Sequence, residues 1–130
     1  MEKYKIKYTS KCSFHKEQIE HAFKVIVDPN SEWCRFKEPL RKMHRKKELE
    51  SEIIRKTVEG LSVNDDGSFS ISYEIEFPDN WGKEFAMDWT WNYGLHEAAK
   101  ANMFNKEKFD SFKMFEEIET NLKLDIQLIK

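Results

Sequence analysis

Two cysteines in 130 residues, Cys12 and Cys34, are too few for a disulfide framework and point away from small oxidised, secreted scaffolds. No apolar run approaches the roughly 20 residues that a membrane span requires. The opening Met1-Glu2-Lys3-Tyr4 begins a polar, alternating segment without a hydrophobic h-region, so no signal peptide is expected. Gly-rich phosphate loops, Ser-centred elbows and His-Glu-x-x-His pairs are also missing, as are repeats, low-complexity tracts and interdomain linkers. Charge of one sign is lacking too. A formal net charge of -2 supports neither wholesale nucleic-acid binding nor a strongly acidic nucleic-acid mimic. From these absences a cytoplasmic location is expected, with no membrane partner.

What the chain does have is aromatic and charged side chains. Aromatics make up 14% and charged residues 35%, enough apolar bulk for a core beneath a heavily charged surface. Phe69, Ile71, Tyr73, Ile75 and Phe77 fall on every second position, with serines and glutamates between them. After Pro78-Asp79-Asn80-Trp81-Gly82 the alternation resumes at Phe85, Met87, Trp89, Trp91 and Tyr93. A period of two gives a strand one apolar and one wet face, so residues 69–93 predict an antiparallel hairpin that anchors the core.

Around that hairpin, Tyr4, Ile6 and Tyr8 alternate with Lys3, Lys5 and Lys7 as a first strand. Ile19, Ala22, Phe23 and Ile26 recur at helical spacing behind Ser13, an expected N-cap, and stop near Asp28-Pro29. Ser31 is an expected cap for a second helical region through Trp33 and Phe36, with a new helix starting near Pro39 and running to Gly60. Leu61–Val63 and Asn64-Asp65-Asp66-Gly67 suggest a short strand and a turn. Residues 95–102 are helix-compatible, Asn105 is an expected cap for a last helix through Phe109, Phe115 and Ile118, and Leu122–Leu128 alternates as a terminal strand. The expected fold is a single α+β domain over 1–130, an antiparallel four- to five-stranded sheet with helices on one face. The element order suggests a ferredoxin-like βαββαβ sandwich with an inserted helical region at 31–60. In that arrangement Lys3, Lys5 and Lys7 would face Glu84 and Asp88 on a neighbouring strand.

The order also invites comparison with RNA-recognition sheets, which stack bases on exposed aromatics. The stretch Gly82-Lys83-Glu84-Phe85-Ala86-Met87-Asp88-Trp89 faintly resembles their third-strand signature. Glu84 and Asp88 intrude on it, and the aromatics share the core face. The sheet is therefore read as structural.

The strongest functional signal is a basic run: Arg35, Lys37, Arg41, Lys42, Arg45, Lys46 and Lys47, with His44 among them and Glu38 the lone acid. Helical neighbours can neutralise part of it, Glu38 toward Arg41 and Lys42 and Glu50 toward Lys46. The remaining cations suit an acidic protein surface or nucleic-acid phosphates. Trp33, and Trp81 in the 78–82 loop, are expected as aromatic anchors, Trp81 alternatively folding back on the core. A zinc site from Cys12, His15, Cys34 and His44 has the wrong spacing for a finger knuckle, so no metal or cofactor is expected. Asp65-Asp66-Gly67 lacks the spaced acids of a calcium loop. His15, His21, His44 and His96 are scattered, and no catalytic residue is assigned.

The function expected from these observations is binding of a protein or nucleoprotein complex by a small non-enzymatic chain. An inhibitor or immunity protein, acting on a nuclease or on a CRISPR-type effector, fits by elimination. The competing expectation is an RNA- or DNA-binding protein, with metal-independent nuclease activity as an extension, using residues 35–47.

Overall fold

The computed structural model describes residues 1–104 and 111–130. A four-stranded antiparallel sheet has the order β2-β3-β1-β4, built from β1 (Glu2–Lys11), β2 (Leu61–Val63), β3 (Ser68–Phe77) and β4 (Lys123–Ile129). Between β1 and β2 lie α1 (Lys16–Lys24), α2 (Glu32–Lys42) and α3 (Lys47–Glu59). Between β3 and β4 lie α4 (Gly82–Tyr93), α5 (Leu95–Phe104) and α6 (Ser111–Thr120). The α+β class and the one-sided sheet follow directly from the alternation. Register pairs Tyr4 with Ile75, Ile6 with Tyr73 and Ile126, and Tyr8 with Ile71 and Leu124, which stacks the apolar positions on one face beneath the helices. Lys3, Lys5, Lys7, Glu74, Glu76, Asp125 and Gln127 are exposed on the other.

The main departure from expectation is the second arm of the 69–93 hairpin, which is helix α4 rather than a strand. A four-residue step returns a side chain to the same side in both a strand and a helix, so Phe85, Trp89 and Tyr93 satisfy either period. The residues between them decide. Ala86 and Thr90 are fully buried on the inner side of α4 while Asp88 and Asn92 are exposed, a burial rhythm of three to four. Small residues there let the helix lie close to the sheet, and the Tyr8 hydroxyl donates to Thr90 Oγ1 at 3.0 Å.

The hairpin is instead made one strand earlier, β2 to β3, through Asn64–Gly67. Gly67 N–H closes that turn on Asn64 O at 3.1 Å with φ at 87°. A Cβ at this glycine would stand 2.1 Å from the Cys12 carbonyl oxygen, so the turn demands glycine on two counts. The ferredoxin-like arrangement expected from the sequence, with residues 85–93 as the strand beside β1, is therefore not the one observed. β3 takes that place: Lys3 and Lys5 face Glu76 and Glu74, not Glu84 and Asp88, and Lys3 Nζ lies 3.3 Å from Glu74.

Helix ends correct the expectation in detail. Ser31 caps α2, accepting from Cys34 N–H at 3.1 Å. The α1 cap is His15 rather than Ser13, because Ser13 is taken by Glu117, whose carboxylate accepts from both its amide and its hydroxyl. Those bonds hold the Glu117 carboxyl below the usual carboxylate range. Pro39 does not start a new helix. α2 runs through it, and the break falls at 43–46, beyond the last α2 turn. The expected cap Asn105 and the residue Phe109 lie outside the described residues.

Candidate functional site

α2 carries most of the basic run and is pinned to the body by one buried polar junction. Trp33 is 3% exposed, and its Nε1 donates to Glu97 Oε1 at 3.0 Å. Arg41 Nη2 donates to the same oxygen at 2.6 Å. Glu97 belongs to α5 and is fully buried. A buried carboxylate is tolerated only when opposite charge and donors surround it, and Trp33 and Arg41 supply them. Two residues expected to meet a partner are thus spent internally. Trp33 is no exposed anchor, and Arg41 is no free surface cation.

The other cations divide into held and unheld. Lys42 pairs with Glu38 at 3.4 Å. Lys37 Nζ lies 5.2 Å from the Trp33 ring centre and Lys46 Nζ 5.9 Å from that of Trp81. Arg35, Arg45 and Lys47 are exposed, and among the described residues none has a carboxylate within ion-pair distance. Interleaved with them in sequence are Phe36, Leu40 and Met43, exposed to 50%, 51% and 84%. Their spacing of four and three residues sets them along one side of α2.

Trp81 is half-buried rather than projecting. It opens an aromatic ladder on α4, with ring centres 4.9 Å from Trp89, which is 5.1 Å from Tyr93. Phe77 backs Trp81 at 5.7 Å. The turn between α2 and α3 closes over this ladder: His44 lies 6.1 Å from Trp89, and Lys46 covers Trp81.

A second polar junction sits under that turn. Glu50, in the first turn of α3 and 5% exposed, was expected to serve Lys46. Its Oε2 is instead buried without a hydrogen-bond donor among the described residues. His44 Nδ1 stands 3.1 Å from its Oε2. The Tyr93 hydroxyl also bonds to Glu50; burial first, then this carboxylate and Glu97, push the phenol up to about 12. Lys46 N–H points at the same His44 nitrogen from 3.2 Å, and a nitrogen that accepts there has no proton for Glu50. Nδ1 is therefore the acceptor of the Lys46 amide, and Glu50 Oε2 stands beside it without a donor among the described residues.

These groups border a cleft of ≈ 350 Å³ between α2 and the α4–α5 corner, lined by Lys37, Leu40, Arg41 and His44 across from Asn92, Tyr93 and Lys100, with Glu50. Sequence reasoning missed Glu50, Tyr93, Glu97 and Lys100 as members of one site. A signal existed for Glu97: it is the lone acid between Leu95 and Ala98-Ala99, in a helix whose neighbours are apolar.

The cysteines and the remaining histidines take no part. Cys12 is buried at the end of β1, its thiol pushed up by burial, and the Cys34 thiol donates to the Val25 and Ile26 carbonyls. Among the described residues no group of three or more His, Cys, Asp or Glu side chains is placed to hold a metal. His21 is exposed on α1, and His96 stacks on Trp91 with ring centres 6.3 Å apart. No helix among the described residues is long and apolar enough to cross a membrane.

No family model, curated protein or solved structure matches the chain.

Proposed function

We propose that this protein works by binding a macromolecular partner, a protein or the protein part of a nucleoprotein complex, through the outer side of α2 and the 43–46 turn, with no chemistry of its own. An inhibitor or immunity role against a nuclease or a CRISPR-type effector is the use that such a surface suits. The observation that carries this is the exposure of Phe36, Leu40 and Met43 in the middle of a basic segment. Apolar side chains aligned on one helix and left in water are the anchors of a contact patch. Unpaired Arg35, Arg45 and Lys47 around them favour a partner with an acidic rim.

Direct RNA or DNA binding by residues 35–47, with metal-independent nuclease activity as its extension, is the second reading. The same three unpaired cations favour it.

The test is capture from lysate of the source cell, with and without ribonuclease and deoxyribonuclease, using two exposed triple variants. A protein that stays bound after nuclease treatment, and is lost by more than about tenfold in Phe36→Ser/Leu40→Ser/Met43→Ser, supports the protein partner. Capture that vanishes on nuclease treatment, and responds only to Arg35→Glu/Arg45→Glu/Lys47→Glu, transfers the function to nucleic acid. Capture unaffected by either triple rejects α2 as the contact surface.

A further inference from the structure

The two edges of the sheet are finished differently. β2 is only three residues long, and the rest of the β3 edge is closed by the end of α3. Ser72 N–H donates to the Gly60 carbonyl at 3.2 Å, and Lys56 Nζ donates to the Glu74 carbonyl. Short strands and side chains laid over an edge keep other chains from pairing there. β4 has neither protection. It is seven residues long and last in the strand order, and among the described residues no backbone group bonds to its outer side. Ser72 turns its amide to the β2 side, and the register carries that alternation across the sheet. It leaves the amides and carbonyls of Leu124, Ile126 and Leu128 pointing outward.

We propose that this edge pairs with the β4 edge of a second copy of the chain, antiparallel about a two-fold axis at Ile126, so that the sheet runs on through both copies. Leu128 faces Tyr4 in the register with β1. Tyr4 is 2% exposed and Leu128 42%, so Leu128 lies on the helix-covered face and owes its exposure to the open edge beside it. An axis at Ile126 sets Leu128 against Leu124 of the second copy, another apolar residue left half-buried, and Ile126 against its own equivalent. On the wet face the same axis sets Asp125 against Gln127 and Lys123 against Ile129. Gln127 Nε2 already donates to Asp125 within the chain at 3.1 Å, and the same donor and acceptor meet across the axis. Like charges facing each other on neighbouring strands are destabilising, and here there are none.

Neighbouring registers do worse. An axis at Asp125 sets that carboxylate against itself, and an axis at Gln127 leaves Lys123 and Leu124 beyond the paired strand. Ile126 is the midpoint of β4, so its axis pairs all of Lys123–Ile129. A two-fold contact must be self-complementary, and this strand is, which favours a second copy over a foreign strand. No residue of the α2 surface takes part, so the two proposals stand independently.

The experiment is sedimentation equilibrium of the full chain between about 1 µM and 1 mM, with amide hydrogen exchange read by NMR at both ends of that range. A monomer–dimer equilibrium is expected, with the Leu124, Ile126 and Leu128 amides protected only as the dimer forms. Gln127→Asp, which sets two carboxylate pairs face to face, should weaken the dimer several-fold. Asp125→Asn/Gln127→Asp keeps the net charge of the parent and should restore it. Leu128→Lys should weaken it by more than about tenfold. These positions are exposed. Should Leu128→Lys nevertheless disturb the monomer, the restoring pair keeps the test. A chain that stays monomeric throughout overturns the proposal, as does protection of the three amides that is independent of concentration. A dimer that ignores Gln127→Asp and Leu128→Lys, or that is lost instead in Phe36→Ser/Leu40→Ser/Met43→Ser, places self-association elsewhere and also overturns it. A double variant as weak as Gln127→Asp alone overturns the axis at Ile126.

Discussion

Arg41 shows how one residue type serves two opposite ends within ten positions. In sequence it is indistinguishable from Arg45, each an arginine in a basic run. In the structure Arg41 sits 2.6 Å from a fully buried carboxylate while Arg45 stands in water. Removing Arg41 leaves Glu97 with only the Trp33 indole donor. Breaking one partner out of a buried pair typically costs about 3–5 kcal/mol. We expect Arg41→Ala to lower stability by an amount in that range, measured by urea unfolding, and Arg45→Ala to stay within about 0.5 kcal/mol of the parent. Equal, small effects would mean that Glu97 finds another partner. For the same reason a loss of binding in an Arg41 variant is uninformative unless its fold has been checked.

At the level of elements, α4 is where sequence and structure part, and Ala86 separates the two outcomes. Had residues 85–93 formed a strand, Ala86 would alternate with the apolar positions and lie on the wet face, where a larger side chain is harmless. On the helix it faces the sheet with no exposure. Ala86→Leu is therefore expected to destabilise by about 1–3 kcal/mol, the usual cost of overpacking a filled core. Thermal melts followed by circular dichroism would check it, and an unchanged midpoint would speak for the strand. β1, β3 and β4 were legible because each alternates over a run with no competing period. Ser31 and Gly60 marked their helix ends because side-chain capping and a glycine stop are local chemistry. The α4 helix was not legible, since Phe85, Trp89 and Tyr93 fit both periods and Ala86 and Thr90 have no strong preference in isolation. For the site, the exposed half of the basic run could be named from sequence. Its junctions could not: Trp33–Glu97, Arg41–Glu97 and His44–Glu50 join residues whose proximity is set by how α2, α3 and α5 pack.

For the whole molecule, the relevant fact is that charge is nearly balanced overall but separated locally. The open sheet face sets Lys3, Lys5 and Lys7 against Glu74, Glu76 and Asp125 and cancels itself, with Lys3 already paired to Glu74. The α2 side retains Arg35, Arg45 and Lys47 without partners. A net charge of -2 gives no long-range pull toward a polyanion, so attraction to one would have to come from those few cations at short range. Salt dependence then distinguishes the two readings quantitatively. If the three unpaired cations each met one phosphate of a single strand, log affinity would fall against log salt with a slope near -2, from roughly -0.7 per phosphate neutralised. A protein partner seated on Phe36, Leu40 and Met43 releases no condensed counterion layer, and its charged rim is merely screened over a Debye length of about 8–10 Å. We therefore expect a slope shallower than -1 for the captured partner between about 50 and 200 mM salt, measured by isothermal titration. A steep slope that flattens in Arg35→Glu/Arg45→Glu/Lys47→Glu would instead identify phosphate contact as the source of the affinity.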